Sequence, residues 1–547
     1  MNLAPIDIVV LVVYAILILS VGLFVSRPKK DQVNSSDYFL ASKSLPWWAV
    51  GASLIAANIS AEQFIGMSGG GFVVGLAIAS YEWMAALTLI IVGKYFLPIF
   101  IEKGLYTIPE FLEKRYNAQV KSVLAVFWVA LFVLVNLTSV LYLGATALDT
   151  IMGEGDGAMV IYCIIGFALF TAAYSLWGGL SSVVWTDVIQ VVLLIVGGLI
   201  TTGIALTHIS PDESIMGGFQ YIFEKAPEKF DMILDKAHKD YNKYPGIAVL
   251  VGGMWVANIY YWGFNQYIIQ RTLAAKSLKE AQKGIVFAAI LKMIVPLIVI
   301  IPGIIAYTMF IEDPEVVAEF TNAAGVVEND RAYPWLISKF IPAGLKGLIL
   351  AALAAAIVSS LASMLNSTST IFTMDLYKPL INKEASEKQL VKVGRLSGLV
   401  ALIIAVILAP LLDSVPEMFQ YIQEYTGIVS PGILAIFILG LFWKKATARA
   451  AIIGAFLSIP IAMFFKIGPK GWSSSAIFPD LPFMHQMGIT FLITTTIMIV
   501  ISLLQNKGVD DKKGIHFTSN LFKTDKTYNI LSFGIILLLI ALYSIFW

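Results

Sequence analysis

Fourteen apolar runs alternate with short polar segments along the 547 residues. Their approximate extents are 6–26, 46–71, 77–101, 121–148, 158–177, 183–206, 246–267, 284–311, 345–374, 393–412, 416–442, 446–466, 484–504 and 527–547. A helix needs about 20 apolar residues to cross a bilayer. The pattern therefore predicts an all-α polytopic membrane protein with fourteen transmembrane helices. The first run, Ile6 to Val25, has no Lys or Arg before it and no small-residue cleavage pattern after it. It reads as a span and not as a cleaved signal.

Charge in the short loops orients the spans. Arg27, Lys29 and Lys30 follow the first run, and Lys103, Lys114, Arg115 and Lys121 follow the third. Arg271, Lys276, Lys279 and Lys283 follow the seventh, and Lys378, Lys383, Lys388 and Lys392 follow the ninth. The eleventh and thirteenth loops are also basic, the fifth is uninformative, and the even short loops are neutral or acidic, as in Asp149 to Asp156. By the positive-inside rule the odd loops are cytoplasmic. Both chain ends, and the long loops near 207–245 and 312–344, are then expected outside a cell membrane.

Polar groups at membrane depth are costly, so their positions carry information. The second run contains Asn58, Ser60, Glu62 and Gln63 and then three consecutive glycines, Gly69 to Gly71. The seventh contains Asn258, Tyr260, Tyr261, Trp262, Asn265 and Gln266. These runs lie five spans apart, so the second enters from the opposite side. That is the pattern of inverted repeats with two broken helices and a site near the midplane. The alternative is that the amides merely join neighbouring helices. Glu82 opens the third run, Asp187 lies near the start of the sixth, and Gln423 and Glu424 lie in the eleventh. Lys292 lies roughly 12 Å into the eighth. The ninth run, Ala354 to Ser367, is rich in Ala and Ser. Its hydroxyls can join an oxygen shell for a hard cation, although helix packing with each hydroxyl bonded one turn back is the commoner reading of such a run alone.

Composition narrows the picture further. Hydrophobic residues make up 58% of the chain and charged residues 13%, against about 25% charged in soluble domains. A net charge of +1 argues against a nucleic-acid partner. One cysteine, Cys163, excludes a disulfide framework. The four histidines, His208, His238, His485 and His516, show no metal-ligand spacing, and no nucleophile–base pair suggests an enzyme. Trp47, Trp48, Trp443 and Trp547 sit at run edges, as interfacial belts require.

The segments AANISAEQFIGMSG (56–69), YEWM (81–84), VVWTDVIQ (183–190), WVANIYYWGFNQYIIQRTLAAKS (255–277), AAAIVSSLASMLNS (354–367) and FQYIQEYTG (419–427) are long and specific. On them the chain resembles the sodium:solute symporter family, and within it the sodium/galactose type, over nearly its whole length. The resemblance implies sugar ligands at Asn58, Gln63, Glu82, Asn258, Lys292 and Gln423. It implies an inner gate at Tyr261 stacking on the sugar, and an outer gate of Met67, Tyr81 and Phe419. It implies co-transported sodium held by the carbonyls of Ala56, Ile59 and Ala356 and the hydroxyls of Ser359 and Ser360, with Asp187 near the ion's exit path. One departure stands out. Galactose-transporting members have a serine ligand where this chain has Ala85.

The ligand types suit a pyranose on chemical grounds as well. Asn and Gln both donate and accept, Glu accepts and Lys donates, and an aromatic ring suits the C–H face. The expected fold is a LeuT-like inverted five-plus-five repeat. Residues 1–45 form an extra span and loop, 46–206 the first repeat, 207–245 an external loop, 246–442 the second repeat, and 443–547 three further spans. The expected function is sodium-coupled import of a galactose- or glucose-class hexose by alternating access. A symporter of the same fold for an amino acid or carboxylate is the alternative; there Lys292 would have to serve the anion despite Glu82 nearby. A channel should show rings of one ligand type and a sensor a soluble output domain; neither pattern is present in the sequence.

Overall fold

The computed structural model describes residues 3–25, 35–152, 157–322, 325–413, 418–468 and 481–547. The basic cluster Arg27, Lys29 and Lys30, the end of the 149–156 acidic segment and the first residues of the 416–442 run lie outside the described residues. Among its helices, numbered along the chain, are α1 (Pro5–Val25), α2 (Trp47–Asn58), α3 (Ser68–Val74), α4 (Ser80–Ile91), α5 (Val160–Ile209), α6 (Gly253–Phe264) and α7 (Gln266–Leu273). They continue with α8 (Leu278–Glu312), α9 (Leu345–Ile371), α10 (Met418–Phe442), α11 (Ala448–Ile467), α12 (Phe483–Asn506) and α13 (Lys526–Ile545). Among the described residues, β-structure is limited to two isolated bridges.

Eleven helices among the described residues are long and apolar enough to cross a membrane. Three expected runs are not separately among them. The 46–71 run is split at Ile59, which is extended (φ −77°, ψ 103°). The 246–267 run is split at Asn265 (φ −81°, ψ 122°), between α6 and α7. The 158–177 run is the first arm of α5, whose apolar stretch Val160–Ala173 is shorter than a full crossing.

The burial pattern is that of a membrane protein. Helix α9 is buried along nearly its whole length. Peripheral α1 and α13 expose Val9, Val13, Ile16, Leu537 and Ile540, as helices facing lipid do.

The fifth and sixth runs meet at Gly179, where the backbone leaves the helical region (φ 59°, ψ −156°), so α5 is two helices joined at a kink. A Cβ there would lie 2.3 Å from the Tyr38 carbonyl, so only glycine fits this elbow. Arg115 and Arg271 were counted with the loop charges, yet both are buried helical residues. Arg115 Nε donates to the Gly440 carbonyl (2.8 Å), open in the last turn of α10, and its Nη2 to that of Ala446 (3.0 Å) in the turn beyond.

The 207–245 loop docks onto the helix bundle through Lys229. Its ammonium donates to the Val73 carbonyl at 2.7 Å and lies 3.6 Å from the Tyr307 ring centroid. Gly75 (φ +64°) permits this approach, since a Cβ would fall 2.1 Å from the Lys229 carbonyl. Burial pushes the Lys229 pKa down to about 8, aided by Lys239 and opposed by Glu228 and Asp240. An undocked lysine keeps its usual value near 10.4, so between these values the undocked loop binds the extra proton and docking strengthens as pH rises. Proteolysis of the 207–245 loop should therefore slow as pH rises from about 8 towards 10. Lys229→Met should flatten that dependence, and an unchanged profile in the variant would remove Lys229 as its source.

Candidate solute- and ion-binding site

The break after α2 is closed by its own sequence. Ser60 Oγ accepts from the Glu62 amide (3.1 Å), while Gln63 Oε1 accepts from the Ser60 amide (2.9 Å) and the Ser60 hydroxyl (3.0 Å). This reciprocal Ser-x-x-Gln arrangement is a capping box. It starts the second half-helix, Glu62–Met67 and α3, and it fixes the Gln63 side chain. It also redirects donors. The Ser60 amide leaves the Ala56 carbonyl one turn back, and the Gln63 amide bonds the Ser60 carbonyl (3.2 Å) instead of that of Ile59.

One cavity is lined by all seven residues expected to bind solute: Asn58, Gln63, Glu82, Asn258, Tyr261, Lys292 and Gln423. Ala85, Tyr81 and Phe419 line it too. Lys292 and Glu82 form a buried ion pair, with side chains 1% and 4% exposed. The Lys292 ammonium also lies 5.1 Å from the Trp262 ring centroid. Gln423 Nε2 donates to Glu62 Oε1 (3.0 Å) and Asn258 Nδ2 to the Met254 carbonyl (3.2 Å). The buried Asn58 Oδ1 has no partner.

Aromatic groups close the cavity at two ends. Tyr81 and Phe419 meet edge to face, 5.2 Å between centroids. At the other end the Tyr261 hydroxyl accepts from Asn58 Nδ2 (3.0 Å) and from the Tyr267 hydroxyl (2.8 Å). Met67 is fully buried but does not line the cavity.

A second polar cluster lies where α2, α5, α7 and α9 meet. Ser360 Oγ donates to the Ala57 carbonyl (3.1 Å). Ser359 Oγ donates to Asp187 Oδ1 (2.5 Å), and Ser53 Oγ donates to the other carboxylate oxygen. Arg271 completes the cluster, with Nη2 3.3 Å from Asp187 Oδ2 and Nε 3.1 Å from the Ser53 carbonyl. Asp187 thus adjoins Ser359 directly.

A model of the sodium:solute symporter family matches residues 38–458. The chain belongs to the sodium:solute symporter family. This symporter is 58% identical to a sodium/glucose cotransporter of Vibrio parahaemolyticus, across 100% of this chain and 99% of that one. It is 33% identical to sodium/myo-inositol cotransporter 2 of Bos taurus, across 84% of this chain and 69% of that one. Its fold matches a substrate-bound, outward-open Na+-coupled sialic acid symporter with a TM-score of 0.76 at 24% identity, covering 92% and 98% of the two chains. A nucleobase-cation-symport-1 family transporter in a closed conformation matches with a TM-score of 0.50 at 14% identity, covering 86% and 96%. Family membership makes sodium the co-transported ion of this symporter, and its activity transport.

The sequence reading missed several groups that the symporter's fold brings to these clusters. Trp262 follows Asn258 by four residues, and Thr426 and Ser430 follow Gln423 by three and seven. Helical spacing puts each on the same face as its neighbour, which is a signal the sequence contained. Glu62 was quoted in its run but not singled out; the break after Asn58 hides its direction. Ser53, Ser363 and Arg271 around Asp187 were also missed.

Removing one partner of a buried ion pair strands a charge, at a cost of about 3–5 kcal/mol. Lys292→Met should therefore lower the melting temperature of the purified symporter strongly. Combining it with Glu82→Gln should recover most of that loss, while uptake stays absent in both. Uptake restored along with stability would mean that the pair only supports the fold.

Proposed function

We propose that this symporter imports a hexose of the glucose or galactose class together with sodium, by alternating access around the central cavity. The observation that carries this reading is the convergence of four amides, an internally paired Lys292–Glu82 and aromatic rings in one cavity. Such a lining offers donors and acceptors to an uncharged polyol. A carboxylate solute would instead need a free cation, and Lys292 is already engaged. The names of the two relatives, for glucose and for myo-inositol, both denote uncharged polyols.

Solute ligands are then Asn58, Gln63, Glu82, Asn258, Lys292 and Gln423, with Tyr261 as inner gate and Met67, Tyr81 and Phe419 as outer gate. Sodium is held by the carbonyls of Ala56, Ile59 and Ala356 and the hydroxyls of Ser359 and Ser360. The Ala56 and Ile59 carbonyls left by the helix break support this, because an all-oxygen shell suits a hard cation. Asp187 takes the ion onward from Ser359. A membrane potential drives each sodium inward by about 2.3 kcal/mol per 100 mV.

The reading includes fourteen crossings and two inverted five-helix repeats, 46–206 and 246–442. The breaks at Ile59 and Asn265, in runs five apart, support it. Both chain ends are external in this reading. The Met232 amide donates to the Phe546 carbonyl (2.8 Å), and Asp7 Oδ1 accepts from the Gly344 and Gly347 amides (2.7 Å each). Those contacts support a common side for the two ends and the two long loops.

Uptake of labelled glucose and galactose into proteoliposomes should require sodium and not potassium. Ser360→Ala should raise the sodium concentration for half-maximal uptake. By linkage sodium raises sugar affinity by the same factor that sugar raises sodium affinity, so equilibrium sugar binding to the variant should also need more sodium. Equal uptake in potassium, or an unaltered sodium dependence in the variant, would refute the sodium site.

Ala85→Ser should restore a hydroxyl partner to galactose and tighten its binding by about 0.5–1.5 kcal/mol. Competition binding against glucose reads this directly, and unchanged or weaker galactose binding would count against a hydroxyl ligand at this position.

A further inference from the structure

A second pocket lies beyond the Tyr81–Phe419 pair, between the start of α10, the end of α11, the start of α12 and the 207–245 loop. It touches the central cavity at Gly427. A small cleft lies beside both, sharing Gln420 with this pocket and Phe419 with the central cavity. The mechanism above makes no use of it.

Its chemistry repeats that of the central cavity with different residues. Lys466 Nζ lies 3.0 Å from Glu424 Oε2 and 4.4 Å from the Tyr425 ring centroid. Gln420 Nε2 donates to Glu424 Oε1 at 3.1 Å, while its buried Oε1 has no partner. Gln486 Nε2 is tied to the Leu481 carbonyl at 2.7 Å, so the group it offers the pocket is its Oε1 acceptor. Phe483 supplies an aromatic wall. Each ammonium is matched by a carboxylate: Lys466 by Glu424, and Lys243 by Asp240 at 3.2 Å. The pocket therefore holds carboxamides, a paired Lys–Glu and a ring, with no excess charge to attract an anion. That combination suits a neutral polyhydroxylated ligand, whose hydroxyls donate and accept at once. The Glu424–Lys466 pair is also part-exposed, at 34% and 26%, so water competes there far more than at Glu82–Lys292 and binding is weaker.

We propose that this pocket is a second, low-affinity sugar site, centred on Gln420, Glu424 and Lys466, which the solute occupies before it passes Phe419. The proposal rests on the sugar reading of the central cavity. It gives the symporter two sugar sites in series, one outside the aromatic pair and one inside.

Equilibrium binding of tritiated D-galactose and D-glucose to the purified full-length protein, in saturating sodium chloride, tests it. The wild type should show two classes of site per chain. Gln423→Ala should keep only the weak class. Gln420→Ala combined with Lys466→Met should keep only the tight, sodium-dependent class, which also shows that this variant is folded. Uptake by the combined variant should show a several-fold higher KM at unchanged kcat. A single tight class in the wild type, or weak binding that survives in the combined variant, would overturn the second site while leaving the central one intact. Absence of any sodium-dependent sugar binding in the wild type would overturn both.

Discussion

Inside a bilayer no water is at hand to satisfy a broken backbone, so an interrupted helix persists only where the protein supplies every missing partner. At Ile59 the chain does so with residues drawn from the break itself. Ser60 and Gln63 cap the second half-helix reciprocally, and Ser360 reaches over from α9 to the Ala57 carbonyl. What remains are carbonyl oxygens without helical donors beside the two serines of α9. Were the break removed, those oxygens would return to helical bonding and Asn58 and Gln63 would leave the cavity. The proposed ion and solute sites both depend on this interruption.

That dependence gives coupling a short physical route. Ala56 and Ile59 lie within a few residues of Asn58 and Gln63 on one interrupted segment. A ligand that fixes the carbonyls also fixes the side chains, so each lowers the ordering cost for the other. The segment is anchored from below by Arg271, which bridges Asp187 of α5 to Ser53 of α2. A buried arginine with a single carboxylate partner and several oxygen acceptors tolerates little displacement. Motion that opens the cytoplasmic side must carry these elements together or break that cluster.

Much of this was legible in the sequence, and the failures have identifiable causes. Polar clusters inside apolar runs marked both interruptions, because few roles justify Asn, Ser and Gln at such depth. All seven expected solute ligands line one cavity. Charge counting misplaced Arg271 and Arg115, since a loop rule cannot distinguish a solvated arginine from one buried against carbonyls. The close joint at Gly179 between the fifth and sixth runs was hidden as well, because the Tyr38 carbonyl that demands glycine there comes from a distant part of the chain. The bond between Asp187 and Ser359 was not legible, because only packing brings α5 and α9 side by side. Glu62 escaped because its direction follows from backbone angles at Ile59 that no periodicity reveals.

The capping box has a further consequence at Gln63. Its carbonyl oxygen is engaged by both the amide and the hydroxyl of Ser60, so towards the cavity the side chain can act only as a donor. Glu82 and Glu62, when ionised, can act only as acceptors. The lining is thus polarised, and a bound ring is read differently at each carbon. Replacing a hydroxyl by fluorine keeps a weak acceptor and removes the donor. A fluorinated ring is therefore tolerated where its fluorine faces Gln63 and rejected where it faces a carboxylate. A set of singly fluorinated analogues would report the orientation of the solute in the cavity, carbon by carbon.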